Sequence, residues 1–384
     1  MIPRIHGAGR RRIAVALAPP LTLLSMGLVS IQGCATASEA APPVEEDAVV
    51  VVPSPDSGDP DGGSAEASIP DDAATDKEAP CGVGNLCRVQ TPLASGSIAA
   101  MSGRSKNDVW ATGSSGFIMR WDGQQWLALE PGGPDTLTNI FLTPDELWGV
   151  AGNLIVRRNV DPTSIRDVRW FSVGEHRYLT GIAVLANGDP FVLRSASWES
   201  GTAPDCLAKI QNFDAGDPES VAAPVLLGTE LAQELSPRAL HLVPNKALWI
   251  VGDHARVARY SMTSAGLGPG VVVPVDSQAN LLAAWGEGDQ LWATGGNGTI
   301  LHYDGTRWHA ADTGTTVTLR AIFGFSSKDI WAAGDQGTVL HYDGTTWSPV
   351  SARSDRDLRA IWGSAPDDVW IAGERSIFHW GALP

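Results

Sequence analysis

The sequence predicts an all-β chain whose body is a seven-bladed β-propeller of four-stranded antiparallel blades. Three observations lead there. Tryptophans recur at a fixed period: Trp292, Trp331 and Trp370 are each 39 residues apart. Each period divides into four short apolar stretches separated by Gly and Asp-Gly turns, as in LRAIFGFSSKDIWAAGDQGTVLHYDGTTW from Leu319 to Trp347. No segment keeps a 3.6-residue hydrophobic period, and turn residues return about every ten positions, so a helical solenoid is disfavoured. Four strands at a period near forty fit a propeller blade.

The chain has 384 residues and a formal net charge of −16. That balance excludes a nucleic-acid partner held by clustered Lys and Arg. Residues 1–33 read as an export signal: Arg4, Arg10, Arg11 and Arg12 form a basic start, followed by a mostly apolar run from Ile13 to Ile31 broken by Pro19 and Pro20. The broken run is too short for a membrane-spanning anchor. Ile31-Gln32-Gly33-Cys34 resembles a bacterial lipobox, which implies lipidation at Cys34 and, with Ala35 following, an outer-membrane destination. The alternative is an ordinary secretory peptide cut near Ala35 or Ala37.

Residues 34–80 read as an acidic tether. They carry one basic residue, Lys77, against twelve acidic ones, with few large apolar side chains to offset the entropy of ordering. As a flexible coil the stretch would average about 40 Å end to end. With +4 in the signal and −11 in the tether, −9 remains for residues 81–384. In an exported protein Cys81 and Cys87 are close enough to form a disulfide, with two free thiols as the alternative. Cys206 is left as a buried apolar residue, and no CxxC pair or His-Cys cluster suggests a metal or cofactor.

The repeats align on Trp110, Trp148, Phe191, Trp249, Trp292, Trp331 and Trp370, with spacings of 38, 43, 58, 43, 39 and 39. In the sixth unit the strands fall at 319–323, 330–333, 338–342 and from Thr346 to Val350, with 324–329 as a turn. The fourth unit has its last strand at Val271 to Val275. The third unit is enlarged between its second and third strands by Ser195 to Asp205, which places Trp198 and Glu199 off the repeat register. The seventh unit ends near Trp380 without a fourth strand. Cys87 lies eleven residues before Ile98, as Trp347 lies eleven before Leu358, so residues 86–92 should supply the missing strand and close the ring.

The units GTVLHYDGTTW, GTILHYDGTRW and GFIMRWDGQQW resemble the BNR/Asp-box and photosystem-assembly-factor-like class of propeller repeats. Here Gly follows the Asp directly, where that class has D-x-G-x-T-W. The class includes glycosidases, assembly factors and receptors, so the resemblance implies fold and leaves function open.

Several candidate positions have plain structural readings. Asp122, Asp304 and Asp343 precede Gly in tight turns and suit capping of backbone amides. His302, His341 and His379 recur at one strand position and suit cross-strand pairing. Asp108, Asp329 and Asp368 belong to the turn before the repeat Trp, and the Trp set fills wedges between blades. Two features ask for more. Arg238, Arg320 and Arg359 share one position on the channel-lining strand, where three guanidiniums would hold a carboxylate or other anion; charge balance is the alternative. Trp198 and Glu199 would anchor a partner if exposed; folding back over the blade is the alternative. The expected function is a non-catalytic, monomeric binding module or scaffold at the bacterial envelope, contacting protein or glycan through its loop-rich face. The alternatives are a sialidase-like glycoside hydrolase using the arginines and a structural envelope spacer.

Overall fold

The computed structural model describes residues 84–92, 96–129, 135–160, 169–172, 177–196, 206–210, 236–264 and 266–383. They form seven antiparallel sheets, each the radial blade of a propeller. Blade one holds β2 (Ile98–Ser105), β3 (Asp108–Gly113), β4 (Ile118–Trp121) and β5 (Trp126–Leu129). Blade two holds β6 (Asn139–Leu142), β7 (Glu146–Ala151), β8 (Leu154–Asn159) and β9 (Arg169–Ser172). Blade three shows β10 (Arg177–Val184), β11 (Pro190–Ala196) and β12 (Cys206–Lys209) among the described residues. Blade four holds β13 (Pro237–Val243), β14 (Ala247–Gly252), β15 (Val257–Thr263) and β16 (Gly266–Val272). Blade five holds β17 (Leu281–Glu287), β18 (Gln290–Gly295), β19 (Ile300–Tyr303) and β20 (Trp308–Ala310). Blade six holds β21 (Leu319–Ser326), β22 (Asp329–Gly334), β23 (Val339–Tyr342) and β24 (Trp347–Pro349). Blade seven holds β25 (Leu358–Ala365), β26 (Asp368–Gly373) and β27 (Ser376–Trp380), and its outer strand is β1 (Leu86–Val89). Leu86 lies opposite Trp380 and Cys87 opposite His379.

Several element boundaries differ from the sequence reading. The closing strand, expected over 86–92, spans Leu86–Val89, and the last strand of blade six spans Trp347–Pro349. The first strand of blade six runs on through Ser326, so Gly324 sits inside it, paired with Ile330, rather than opening a turn. Its glycine serves a close approach: a Cβ there would lie 2.9 Å from the Trp285 ring of blade five. The same exchange recurs where Trp362 of blade seven packs on Gly103 of blade one, at 2.5 Å from a would-be Cβ. The last strand of blade four begins at Gly266, earlier than expected, because β15 runs through Thr263 and turns directly into its partner.

The core is divided into seven wedges, one at each junction between neighbouring blades. The repeat aromatic of each blade points into the wedge it shares with the next. Trp370 of blade seven meets Val109, Met119 and Trp121 of blade one, and Trp331 of blade six meets Leu86, Val369 and Phe378 of blade seven. Burying these rings is the main apolar contribution to the junctions.

A polar unit fixes each ring. The cross-strand partner of the aromatic carries a cation or imidazole, and the residue two before the aromatic carries the acceptor. In blade six His341 stacks on Trp331 at 4.3 Å, and its Nε2 lies 2.8 Å from Asp329. In blade seven His379 packs on Trp370 at 4.4 Å, with Asp368 at 2.8 Å. Blade five uses His302 on Trp292 at 4.1 Å, with Gln290 as the acceptor at 3.0 Å. Blades one and two substitute arginine: Arg120 covers Trp110 and donates to Asp108, and Arg157 covers Trp148 and donates to Glu146, both hydrogen bonds at 2.7 Å. Blade three keeps the pattern with Phe191, Lys209 opposite, and a 2.6 Å ion pair from Lys209 to Asp189. In blade four Ala247 leaves no acceptor, so Arg259 covers Trp249 and reaches Asp289 of blade five at 2.8 Å.

The hairpins at the opposite ends are equally regular. Asp122, Asp304 and Asp343 each accept the amides two and three residues on. Those bonds hold the Asp122 and Asp343 carboxyls below the usual range; Asp304 is held below it first by bonds from Thr306 Oγ1 and His309, then by the two amides. On the other face the turns after the second strands lace neighbouring blades: Gly337 N donates to Arg356 O at 2.8 Å and Arg375 N to Gly96 O at 3.1 Å. Gly337 has φ +67°, and a Cβ there would meet Ser354 O at 1.8 Å, so only glycine fits this lacing point.

Leu86 is buried in the wedge between blades six and seven. Leu86→Asp is expected to cost about 3 kcal/mol, by placing a carboxylate without a partner in that wedge, while Leu86→Met stays within about 1 kcal/mol. Chemical denaturation followed by tryptophan fluorescence checks both.

Candidate functional site

The first strand of each blade lines the central axis, and one end is ringed by Ala99, Arg238, Leu282, Arg320 and Arg359 at the second position of their strands, with Thr138 just before β6 and Thr180 within β10. These residues border one central cavity of about 380 Å³. The three arginines named from the sequence therefore converge, at the end that carries the turns after the second strands and the connections between blades.

They do not converge unpaired. Arg238 donates two bonds to Asp253, at 2.9 and 2.7 Å. Arg320 makes the same two-pronged pair with Asp335, one bond at 2.8 Å, and that contact raises its pKa further. Arg359 is held more loosely, 3.2 Å from Asp357 and 3.6 Å from Glu374, and its Nε has no hydrogen-bond partner. Asp253, Asp335 and Glu374 share a position: each directly follows the glycine that ends the second strand, Gly252, Gly334 and Gly373. Blades one and five have Ser114 and Gly296 there, and Ala99 and Leu282 on the channel. Arginine and acid thus come together, blade by blade.

This pairing settles the charge beside the three arginines. Three guanidiniums face four carboxylates, Asp253, Asp335, Asp357 and Glu374, so the mouth carries both signs and is not a cationic cup. Half-exposed pairs of this kind contribute little to stability, about 0–1 kcal/mol each. Asp357 also accepts the Gln336 amide of blade six at 3.3 Å, which ties the rim to the lacing between blades.

The remaining sequence candidates divide in two. Trp198 and Glu199 lie outside the described residues, as do Cys34 and Cys81. Cys87 sits on β1 and is disulfide-bonded, to a partner outside the described residues. Sequence reasoning missed the acids that neutralise the arginines, although their shared position after Gly252, Gly334 and Gly373 was a signal available in the repeats.

It also missed His241. This residue lies on β13 opposite Trp249, and its Nε2 is 3.3 Å from Gly286 O of blade five. Enclosure between the two channel strands pushes its pKa down to about 4, against the raising influence of the Gly286 carbonyl.

No protein-family model matches the chain, and no curated protein does. Solved structures do. YCF48 bound to D1 peptide aligns at 16% identity over 77% of this chain and 97% of that one, with a TM-score of 0.57. YCF48 from Cyanidioschyzon merolae aligns at 12% identity over 77% and 98%, with a TM-score of 0.56. The WD40 propeller domain of Doa1 aligns at 12% identity over 78% and 96%, with a TM-score of 0.55. At these identities the likeness is one of fold.

Because the folded pKa of His241 lies below its unfolded value of 6.5, its contribution to stability is complete above pH 6.5 and is lost as pH falls through about 4. His241→Gln keeps a donor for Gly286 O and does not titrate. Between pH 7 and pH 4 the variant is expected to lose less stability than the parent, by about 2–3 kcal/mol. Denaturant midpoints at the two pH values measure the difference.

Proposed function

We propose that this chain is a non-catalytic recognition or scaffold propeller, held at the bacterial envelope by lipid on Cys34, that binds a protein segment on the face bearing the channel mouth. The observation that carries this reading is the closure of Arg238 and Arg320 by carboxylates of their own blades. A hydrolase of anionic sugars needs arginines open to the substrate carboxylate and a separate acid or nucleophile beside them. Here the carboxylates at the mouth are the arginines' own partners. Paired charges of both signs on a laced face instead suit a polar protein surface, where such pairs set register and specificity more than affinity. The fold it shares with a propeller solved bound to a peptide, and with a WD40 domain, is consistent with that use. The disulfide at Cys87 sits on the strand that closes the ring, next to the tether, where an anchor would pull.

Two experiments follow. A panel of anionic glycosides should show no turnover by the full chain, and turnover abolished by Arg320→Ala would favour the glycosidase reading. A photo-crosslinking residue in place of exposed His254, on the mouth face, should capture a saturable partner in envelope fractions, and one in place of Gln124, on the opposite face, should not. Separately, the intact mass of the envelope protein should include an acyl modification that Cys34→Ala lacks, and that variant should shift to the soluble fraction. An unchanged membrane fraction would remove the lipid from the account.

A further inference from the structure

The wedge between blades five and six differs from those between blades four and five, six and seven, and seven and one. At three junctions the aromatic on the third strand of one blade touches the repeat Trp of the blade before it. Tyr303 meets Trp249 at 5.7 Å, Trp380 meets Trp331 at 5.0 Å, and Trp121 meets Trp370 at 4.9 Å. Between blades five and six the equivalent rings, Trp292 and Tyr342, make no ring contact among the described residues, and both line an open slot of about 930 Å³.

The cause lies in one side chain. The residue that closes the outer end of a wedge follows the fourth strand. It is Val350 in blade six, whose amide donates to Val339 O at 2.9 Å, and Val273 in blade four, whose amide donates to Val257 O at 3.0 Å. Leu129, opposite Ile118, fills the same place in blade one. In blade five this residue is Ala311, whose amide donates to Ile300 O at 2.9 Å. The backbone register is the same, and only the side chain is truncated. Such a gap forfeits packing, yet here it opens to solvent and is walled by rings.

We infer that this slot is a binding site for a neutral oligosaccharide. Tyr342 and Trp347, 5.2 Å apart and half-buried, offer ring faces at the wall, and His302, stacked flat on Trp292 at 8°, covers the floor. Among the described residues the hydroxyls of Thr338, Thr345 and Thr346 have no hydrogen-bond partner, only their backbone being bonded, so donors and acceptors stand beside the rings. Sugar rings present apolar C–H faces and hydroxyl edges together, which is the chemistry this lining matches. Formal charge in the slot is balanced, Asp312 against Arg353, which favours a neutral ligand over an anionic one. An extended peptide fits less well: the strand edge beside the slot, β20, is three residues long, and β24 carries Pro349, so main-chain addition has little ladder to extend. The slot is separate from the channel mouth, and this assignment goes beyond the protein-binding reading of that face.

The test uses the full chain and titrates cellotriose, maltotriose, chitotriose and β-1,4-galactotriose by calorimetry and tryptophan fluorescence. At least one should bind saturably and shift the tryptophan emission. Ala311→Leu fills the slot as Leu129 fills its own. It should weaken that binding at least tenfold, with a denaturation midpoint equal to or above the parent's. Trp347→Ala should weaken it to a similar degree, and Ala311→Val serves if the leucine variant does not fold. Crosslinking from His254 should be unchanged in Ala311→Leu, so that failure at the slot is distinguishable from failure at the mouth. No binding of any trisaccharide, binding that Ala311→Leu leaves intact, or saturable binding of a proline-rich decapeptide in the slot with none of the sugars would overturn the assignment.

Discussion

One contact repeats in six of the seven sectors of this molecule: an aromatic ring covered on its own sheet by a cation or an imidazole that an acceptor on the same blade, or the next, holds in place; in the third, Lys209 lies opposite Phe191 and pairs with Asp189. The ring supplies apolar area to a wedge, but a flat indole can tilt or slide unless something fixes it. His379 is 1% exposed and bonded to Asp368, so the cover is itself buried and oriented. Burial works against ionisation of Asp368, and the bonds from His379 and Ser364 outweigh it and hold its carboxyl below the usual range. Asp108 shows the same balance with Arg104 and Arg120. Such units are costly to leave incomplete, which explains why blade four, lacking an acid at Ala247, borrows Asp289 from its neighbour rather than leave Arg259 open.

The unit also shows how one position adapts. Arg158 of blade two stands where five other blades carry Tyr or Trp on the third strand. Its guanidinium lies over Trp110 at 5.7 Å and takes the place of the ring–ring contact seen elsewhere, while Arg120 covers the same ring at 5.6 Å. Burial, together with the neighbouring Arg120 charge, lowers the Arg158 pKa. A cation between blades can therefore replace an aromatic, and an alanine at the end of a wedge can open a slot, without altering the register of any strand. Variation of this kind lets a repeat fold carry function in its side chains while its backbone stays uniform.

Much of this was legible in the sequence, for a physical reason. Each blade repeats its turn chemistry, and turns are read from local residues: Asp-Gly at 122–123, 304–305 and 343–344 folds as amide-capped hairpins with φ near +100° at each glycine. A spacing of eleven pointed to residues 86–92 as the outer strand of the last blade, and 86–89 are the ones that pair with β27. Gly324 was misread because its role is set by Trp285 on another blade, a contact that local pattern does not carry. The arginines were found, since they repeat on one strand, but the acids of the shared position, Asp253, Asp335 and Glu374, lie fifteen residues away and belong to a different part of the motif. The Ala311 slot was invisible for the same reason: its meaning depends on comparing the outer ends of different blades in register.

The claim on which the rest depends is that cover and acceptor act as one unit at each ring. A double-mutant cycle at blade seven, with Asp368→Asn, His379→Gln and the pair, measures it directly through denaturant midpoints. The account predicts a coupling of about 1–2 kcal/mol between the two positions. Additive losses, with each substitution costing the same whether or not the other is present, would contradict it.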